Sequence, residues 1–184
     1  MKFLETPLAG AYVIDIDPKE DDRGLFARTF CDQEFSAIEL EVRFVQCNTS
    51  YNLKKGTVRG LHLQRPPYEE IKLVRCTRGR IFDVIVDLRH DSDSRFRWYG
   101  VELTQDNRRS VYIPKGFAHG FQTLADESEV FYQMSQAFVT HAGAGINWQD
   151  RCVGITWPLQ PAILSEKDAS LPSLSDFLIP EKIS

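Results

Sequence analysis

The chain has 184 residues, 42% of them hydrophobic and 26% charged, the composition of an ordinary globular protein long enough to bury a core. Its 22 Lys and Arg against 26 Asp and Glu leave a net charge of −4. That balance excludes a protein that coats nucleic acid through a general basic face.

The opening "MKFLETPLAG" carries Glu5 and Pro7 and lacks a long apolar core, so no signal peptide is expected. No stretch has the apolar length of a membrane span, and a cytoplasmic location is expected. Strands are predicted over "AYVIDID" (11–17) and "GLFARTF" (24–30), with Asp22-Arg23-Gly24 as the turn between them. "DQEFSAIEL" (32–40) reads as a short helix, with Asp32 as its N-cap and Glu34 suiting the positive end of the helix dipole. "VRFVQCNTS" (42–50), "GTVRGLHLQ" (56–64) and "IKLVRCT" (71–77) follow as strands, rich in β-branched or aromatic residues. "RIFDVIVDLR" (80–89) shows the clearest alternation. Phe82, Val84, Val86 and Leu88 form an apolar face, and Ile81, Asp83, Ile85 and Asp87 a mixed one. "WYGVELT" (98–104), "RSVYIP" (109–114), "HGFQTL" (119–124) and "EVFYQMS" (129–135) complete the set. From about residue 150 the pattern loosens into a Pro- and Ser-containing tail. Four scattered cysteines without a CxxC pair read as free thiols. Many short strands with one helix and no internal repeat predict an all-β jelly roll, a single domain over 1–184.

Two segments carry the chemistry. In "RGLHLQ" (59–64) strict alternation puts Gly60, His62 and Gln64 on one face and Arg59, Leu61 and Leu63 on the other. "YIPKGFAHGFQ" (112–122) places His119 just after a Pro114/Gly116 turn. One histidine from each segment falls short of the three protein ligands of a catalytic zinc site, and Gln64 stands where a second imidazole would bind, so no metal is expected. Glu69 and Glu70, after "RPPY", read as loop charges as readily as ligands. His62 is then a base or a hydrogen-bonded filler. Arg59, Lys72, His62 and Tyr132 converging in one barrel would be costly as mere core, and they suit an anionic substrate with acid–base chemistry. Arg59 joins that set only if the strand bends or bulges at Gly60.

With these residues in view, the chain resembles the dTDP-4-dehydrorhamnose 3,5-epimerase family from about residue 3 to 172. The resemblance is carried by "DDRGLFARTF", "FVQCNTS", "GTVRGLHLQRPPY", "KLVRC", "FDVIVDLR", "YIPKGFAHGF", "VFYQ", "INWQD" and "LSEKD", in that order. It implies a cupin-like fold, no metal or organic cofactor, and a homodimer that exchanges an N-terminal strand. It further implies that His62 takes a proton from the carbon beside the C4 ketone of a nucleotide-linked 4-keto-6-deoxy sugar. Asp168 would hold that imidazole, Lys72 would stabilise the enolate oxygen, and Tyr132 would return a proton on the opposite face. Arg23, Arg59 and His119 would grip the diphosphate, with Gln46 and Asn48 adding hydrogen bonds and Phe138 and Lys167 also contacting substrate.

The chain departs from the family at the base pocket, where Lys19 and Arg28 replace a Phe and a Glu, and near the sugar, where Phe138 replaces a Tyr and Gly143 a Glu. The base, the sugar and the inverted carbons are left open by these changes. A metal-dependent cupin oxygenase or isomerase, and a non-catalytic sugar-nucleotide-binding module, are the alternatives.

Overall fold

The computed structural model describes residues 1–40 and 43–179. Its strands are β1 (Lys2–Glu5), β2 (Tyr12–Asp15), β3 (Lys19–Asp21), β4 (Gly24–Phe26), β5 (Gln46–Asn52), β6 (Val58–Gln64) and β7 (Lys72–Arg78). They continue as β8 (Arg80–Asp87), β9 (Trp98–Thr104), β10 (Ser110–Ile113), β11 (Phe117–Thr123), β12 (Ser128–Met134) and β13 (Gly143–Gly145). The helices are short: α1 (Asp32–Ser36), α2 (Glu166–Ala169) and α3 (Leu174–Phe177).

Two sheets face each other. One has six strands in the order β1-β2-β10-β7-β12-β5, and the other five in the order β13-β6-β11-β8-β9. Neighbouring strands are antiparallel, and neighbours such as β2 and β10 are far apart in sequence, which is the cupin-like jelly roll expected. Alternation along each strand sets the layers. On β8, Ile81 and Ile85 point between the sheets and pack with Val74, Cys76, Val111, Ile113 and Val130 of the other sheet. Val84 and Val86 point outward and are covered by Ile146, Val153 and Leu174 of the C-terminal segment. Full burial of such a side chain contributes about 1.5–3 kcal/mol. The outer face of the six-stranded sheet is closed by α1, whose Phe35 packs on Ile14, Leu73 and Tyr112.

The structure corrects the sequence reading in several places. The N-cap of α1 is Cys31, with no side-chain cap, and Asp32 is already helical, its carboxylate accepting from the Gln33 N–H at 2.9 Å. The helix stops at Ser36, four residues early, because Glu39 takes a left-handed φ of 60° and turns the chain. β1 and β3 were not expected, and β4 ends at Phe26 because Phe30 leaves the strand to pack on Phe35 and Phe44. Of the strand expected over 42–50, residue 42 lies outside the described residues, and pairing starts only at Gln46. The segment after 150 is no loose tail. Trp157 packs on Trp148 and Phe82, and its indole N–H donates to the Trp148 carbonyl at 2.9 Å.

Asp87, at the end of β8, shows how the barrel tolerates a buried charge. It is fully buried, and burial alone would push its carboxyl up. Hydrogen bonds from Arg89, Ser92 and Ser94 reverse that and bring it down to about 2. A carboxylate lowered in this way stabilises the fold above its unfolded value near 3.8, and that contribution is lost as pH falls toward 2. Asp87→Asn is expected to cost about 2 kcal/mol at pH 7, and the gap from wild type should shrink between pH 5 and pH 3. Urea unfolding of both proteins across that range checks it, and a gap that widened on acidification would contradict the assignment.

Candidate active site

At one end of the barrel the inward positions change from apolar to polar, and the sheets part around a cavity of about 700 Å³. The six-stranded sheet contributes Gln46 and Asn48 from β5, Lys72 from β7 and Tyr132 from β12. The five-stranded sheet contributes Arg59 and His62 from β6 and His119 from β11. Phe138, from a connecting segment, Gly143, from β13, and Lys167, from α2, also line it.

Arg59 and His62 reach the same cavity because β6 does not alternate strictly. The ladder with β11 pairs His119 with His62 but Phe121 with Arg59, so β6 carries one extra residue across the step. Gly60 sits there with a φ of 123°, and a Cβ would fall 2.6 Å from the Gly120 Cα. Only glycine fits.

The bulge also builds the dyad. The freed Gly60 N–H donates to Asp168 Oδ2 at 3.1 Å, while Asp168 Oδ1 lies 2.7 Å from His62 Nε2. Asp168 begins no strand; it sits in α2, whose Ser165 N-cap accepts from the Asp168 N–H at 3.1 Å. Burial raises its carboxyl, but the hydrogen bond and charge of His62, with the Gly60 and Ser165 bonds, bring it below the usual range. It is therefore ionised at neutral pH. An ionised partner accepts from Nε2–H and leaves Nδ1 free to take a proton. His62 is reachable, with 41% of its side chain exposed against 7% for Asp168. Asp168→Asn is expected to lower kcat by about 10²-fold or more with little change in nucleotide affinity, because the amide no longer fixes the tautomer. Steady-state rates and a dTDP titration check this.

Across the cavity, the Lys72 ammonium lies 2.8 Å from Glu70 Oε1 and donates to the His62 carbonyl at 3.2 Å. Tyr132 pairs with Asn48 on one side and Val74 on the other. Burial chiefly raises its hydroxyl, with the Arg59 charge opposing and the Glu70 charge adding, so it is a phenol, a proton donor, at neutral pH.

The remaining polar groups are oriented by neighbours. Asn52 accepts from Arg59 Nε at 2.6 Å, leaving the terminal guanidinium nitrogens for a ligand. His119 Nε2 lies 2.8 Å from the buried Asp83 carboxylate. Gln46 Nε2 donates to Asn48 Oδ1 at 3.0 Å, and Gln46 Oε1 accepts from the Phe138 N–H at 2.9 Å. Gln64, whose place in the sequence suggested the cavity face, does line it, but its amide is spent on the backbone of Tyr68, Ala137 and Val139. Asn52, Asp83 and Glu70 went unread as parts of the site. Asp83 had a signal, a carboxylate between Ile81 and Ile85 on the inward face of β8.

Three of the expected residues are not brought to this cavity. Arg23 is paired with Asp21 in the β3–β4 hairpin with 90% of its side chain exposed, Lys19 belongs to the same hairpin, and Arg28 is paired with Glu34 at 2.7 Å. Among the described residues no group of three or more His, Cys, Asp or Glu side chains is placed to hold a metal ion, and no helix is long and apolar enough to cross a membrane.

A cupin-like jelly roll whose cavity sets His62 of one sheet, backed by Asp168 from α2, against a lysine and a tyrosine of the other has the parts of an acid–base enzyme. Comparison with known proteins narrows the class. The family profile described as dTDP-4-dehydrorhamnose 3,5-epimerase matches residues 5–176. The dTDP-4-dehydrorhamnose 3,5-epimerase of Methanothermobacter thermautotrophicus is 45% identical over 178 residues, with 95% of each chain covered. The crystal structure of the Elizabethkingia anophelis enzyme of that name superposes with a TM-score of 0.93 at 37% identity, covering 96% of this chain and 97% of that one. The Bacillus anthracis enzyme, solved with TDP and PPi bound, gives 0.91 at 39% identity over 94% and 99%. The chain belongs to the dTDP-4-dehydrorhamnose 3,5-epimerase family.

Proposed function

We propose that the protein epimerises a nucleoside-diphosphate-linked 4-keto-6-deoxy sugar, dTDP-4-dehydro-6-deoxyglucose being the reference substrate, by proton transfer at the carbons flanking the ketone. The observation that carries this reading is the placement of His62 and Tyr132 on opposing sheets of one cavity. A base on one face of a sugar ring and an acid on the other is what inversion of a C–H centre requires.

His62 Nδ1 takes the proton from the carbon next to the ketone, and the C–H electron pair moves into an enolate. Asp168 stabilises the imidazolium. The Lys72 ammonium faces the developing oxyanion, the place where fixed charge acts most strongly on the barrier. The Tyr132 hydroxyl delivers a proton to the opposite face of the same carbon, and exchange with water resets both groups. Arg59, His119 and Lys167 line the same cavity and suit the diphosphate, with Gln46 and Asn48 as hydrogen-bonding partners. Repetition at the second flanking carbon gives double inversion.

The β3–β4 hairpin, with Leu25 and Phe26 exposed and Lys19 and Arg23 turned away from the chain's own cavity, suits a homodimer in which it reaches the partner's nucleotide. Chelator-treated protein incubated with dTDP-4-dehydro-6-deoxyglucose, with products resolved by NMR, tests the function. Inverted C3, C5 or both supports it. An unchanged sugar, or activity restored only by added zinc, iron or manganese, overturns it in favour of a binding module or a metal-dependent cupin.

A further inference from the structure

The proposed reaction gives Glu70 no task, although it belongs to the cavity wall and its side chain is only 4% exposed. One oxygen, Oε1, is 2.8 Å from the Lys72 ammonium. The other, Oε2, is shielded from water and has no hydrogen-bond partner among the described residues. A buried carboxylate with half its acceptors unused is expensive, so its presence asks for a compensating role.

Two kinds of role are open to it, charge and geometry, and they act in opposite directions here. The negative charge works against the reaction. It lies beside the position where the enolate oxygen gains its own negative charge, and it disfavours release of the Tyr132 proton. Geometry works for the reaction. An ammonium has three donors on a four-carbon stem with about 2 kcal/mol of rotamer freedom. Glu70 Oε1 takes one donor and the His62 carbonyl takes a second at 3.2 Å, which leaves the third to the cavity.

The acceptor is itself held on fixed backbone. Directly after Glu70, the Ile71 N–H donates to Ser135 Oγ at 2.8 Å and the Ile71 carbonyl accepts from the Ser135 N–H at 3.0 Å. Just before it, Gln64 Nε2 donates to the Tyr68 carbonyl at 2.9 Å. The carboxylate thus arrives from a segment tied to both sheets.

We propose that Glu70 is a positioning residue for the reaction, aiming the Lys72 ammonium through its place as an acceptor and not through its negative charge. This rests on the reading of Lys72 as the group that faces the enolate oxygen.

Glu70→Gln and Glu70→Met separate the two roles, since both are neutral and similar in length and only glutamine keeps an acceptor oxygen. Glu70→Ala serves as a second variant without an acceptor should Glu70→Met fail to fold. The measurements are kcat, KM and the dissociation constant for dTDP, the last also reporting that the cavity is intact. The expected result is kcat within about threefold of wild type for Glu70→Gln and a loss of at least about tenfold for a variant lacking the acceptor, with dTDP affinity unchanged in each. Equal losses in the Gln and Met variants would assign the role to charge and overturn the proposal. Near-normal kcat in the folded Met or Ala variant would also overturn it. A wild-type protein that does not convert the sugar would instead refute the reading of the site on which the proposal stands.

Discussion

His62→Ala is expected to abolish exchange of the sugar's C3 and C5 protons with solvent, lowering kcat by about 10³-fold or more, while the dissociation constant for dTDP stays within about threefold. The split follows from what the imidazole does. It takes charge only as the C–H bond breaks, so its stabilisation belongs to the transition state, whereas affinity is set by the groups that hold the diphosphate. The side chain is 41% exposed, so its removal leaves little void to destabilise the barrel. Deuterium exchange measured by NMR, alongside a nucleotide titration, checks the prediction. An alanine variant with near-normal exchange would remove His62 from the mechanism.

Tyr132→Phe is expected to divide two events that the wild type couples. The ring that packs against the inter-sheet core remains, and only the proton donor is lost. Inversion should fall by about 10²-fold or more, while His62 continues to remove and return protons on its own face, so that exchange outruns inversion. The ratio of deuterium incorporation to product formed reads this directly. Exchange and inversion falling in strict proportion would leave Tyr132 without a separate role as the acid.

The barrel frame was legible because its strands are buried on at least one face and alternate, β8 most plainly. Its mixed face became the space between the sheets and its apolar face the bed for the C-terminal segment. The condition set for Arg59 was legible too. A glycine inside an alternating strand signals a bulge, and the bulge at Gly60 brings arginine and histidine to one cavity while freeing an N–H for Asp168. β3 was not legible, since Lys-Glu-Asp is exposed throughout and is held by pairing with β4 alone. Nor was the packing of the C-terminal segment. Trp148, Val153, Trp157 and Leu174 follow no sustained period of 2 or 3.6 residues, so no pattern announces a shared core. Asp168 came from the resemblance to a family, because a carboxylate 106 residues from its histidine has no local signal. Glu70 was left open between a loop charge and a metal ligand, because its partnership with Lys72 exists only once β7 is in place.

Two opposing walls of one cavity handling the same proton position leave a signature in deuterium labelling. Wild-type protein is incubated with dTDP-4-dehydro-6-deoxyglucose in D₂O, and the sugar is followed at C3 and C5 by NMR. Every inverted centre is expected to carry deuterium, all incorporation to require His62, and chelator to change neither. Inverted product that retained its original protium, or incorporation that survived loss of His62, would contradict it.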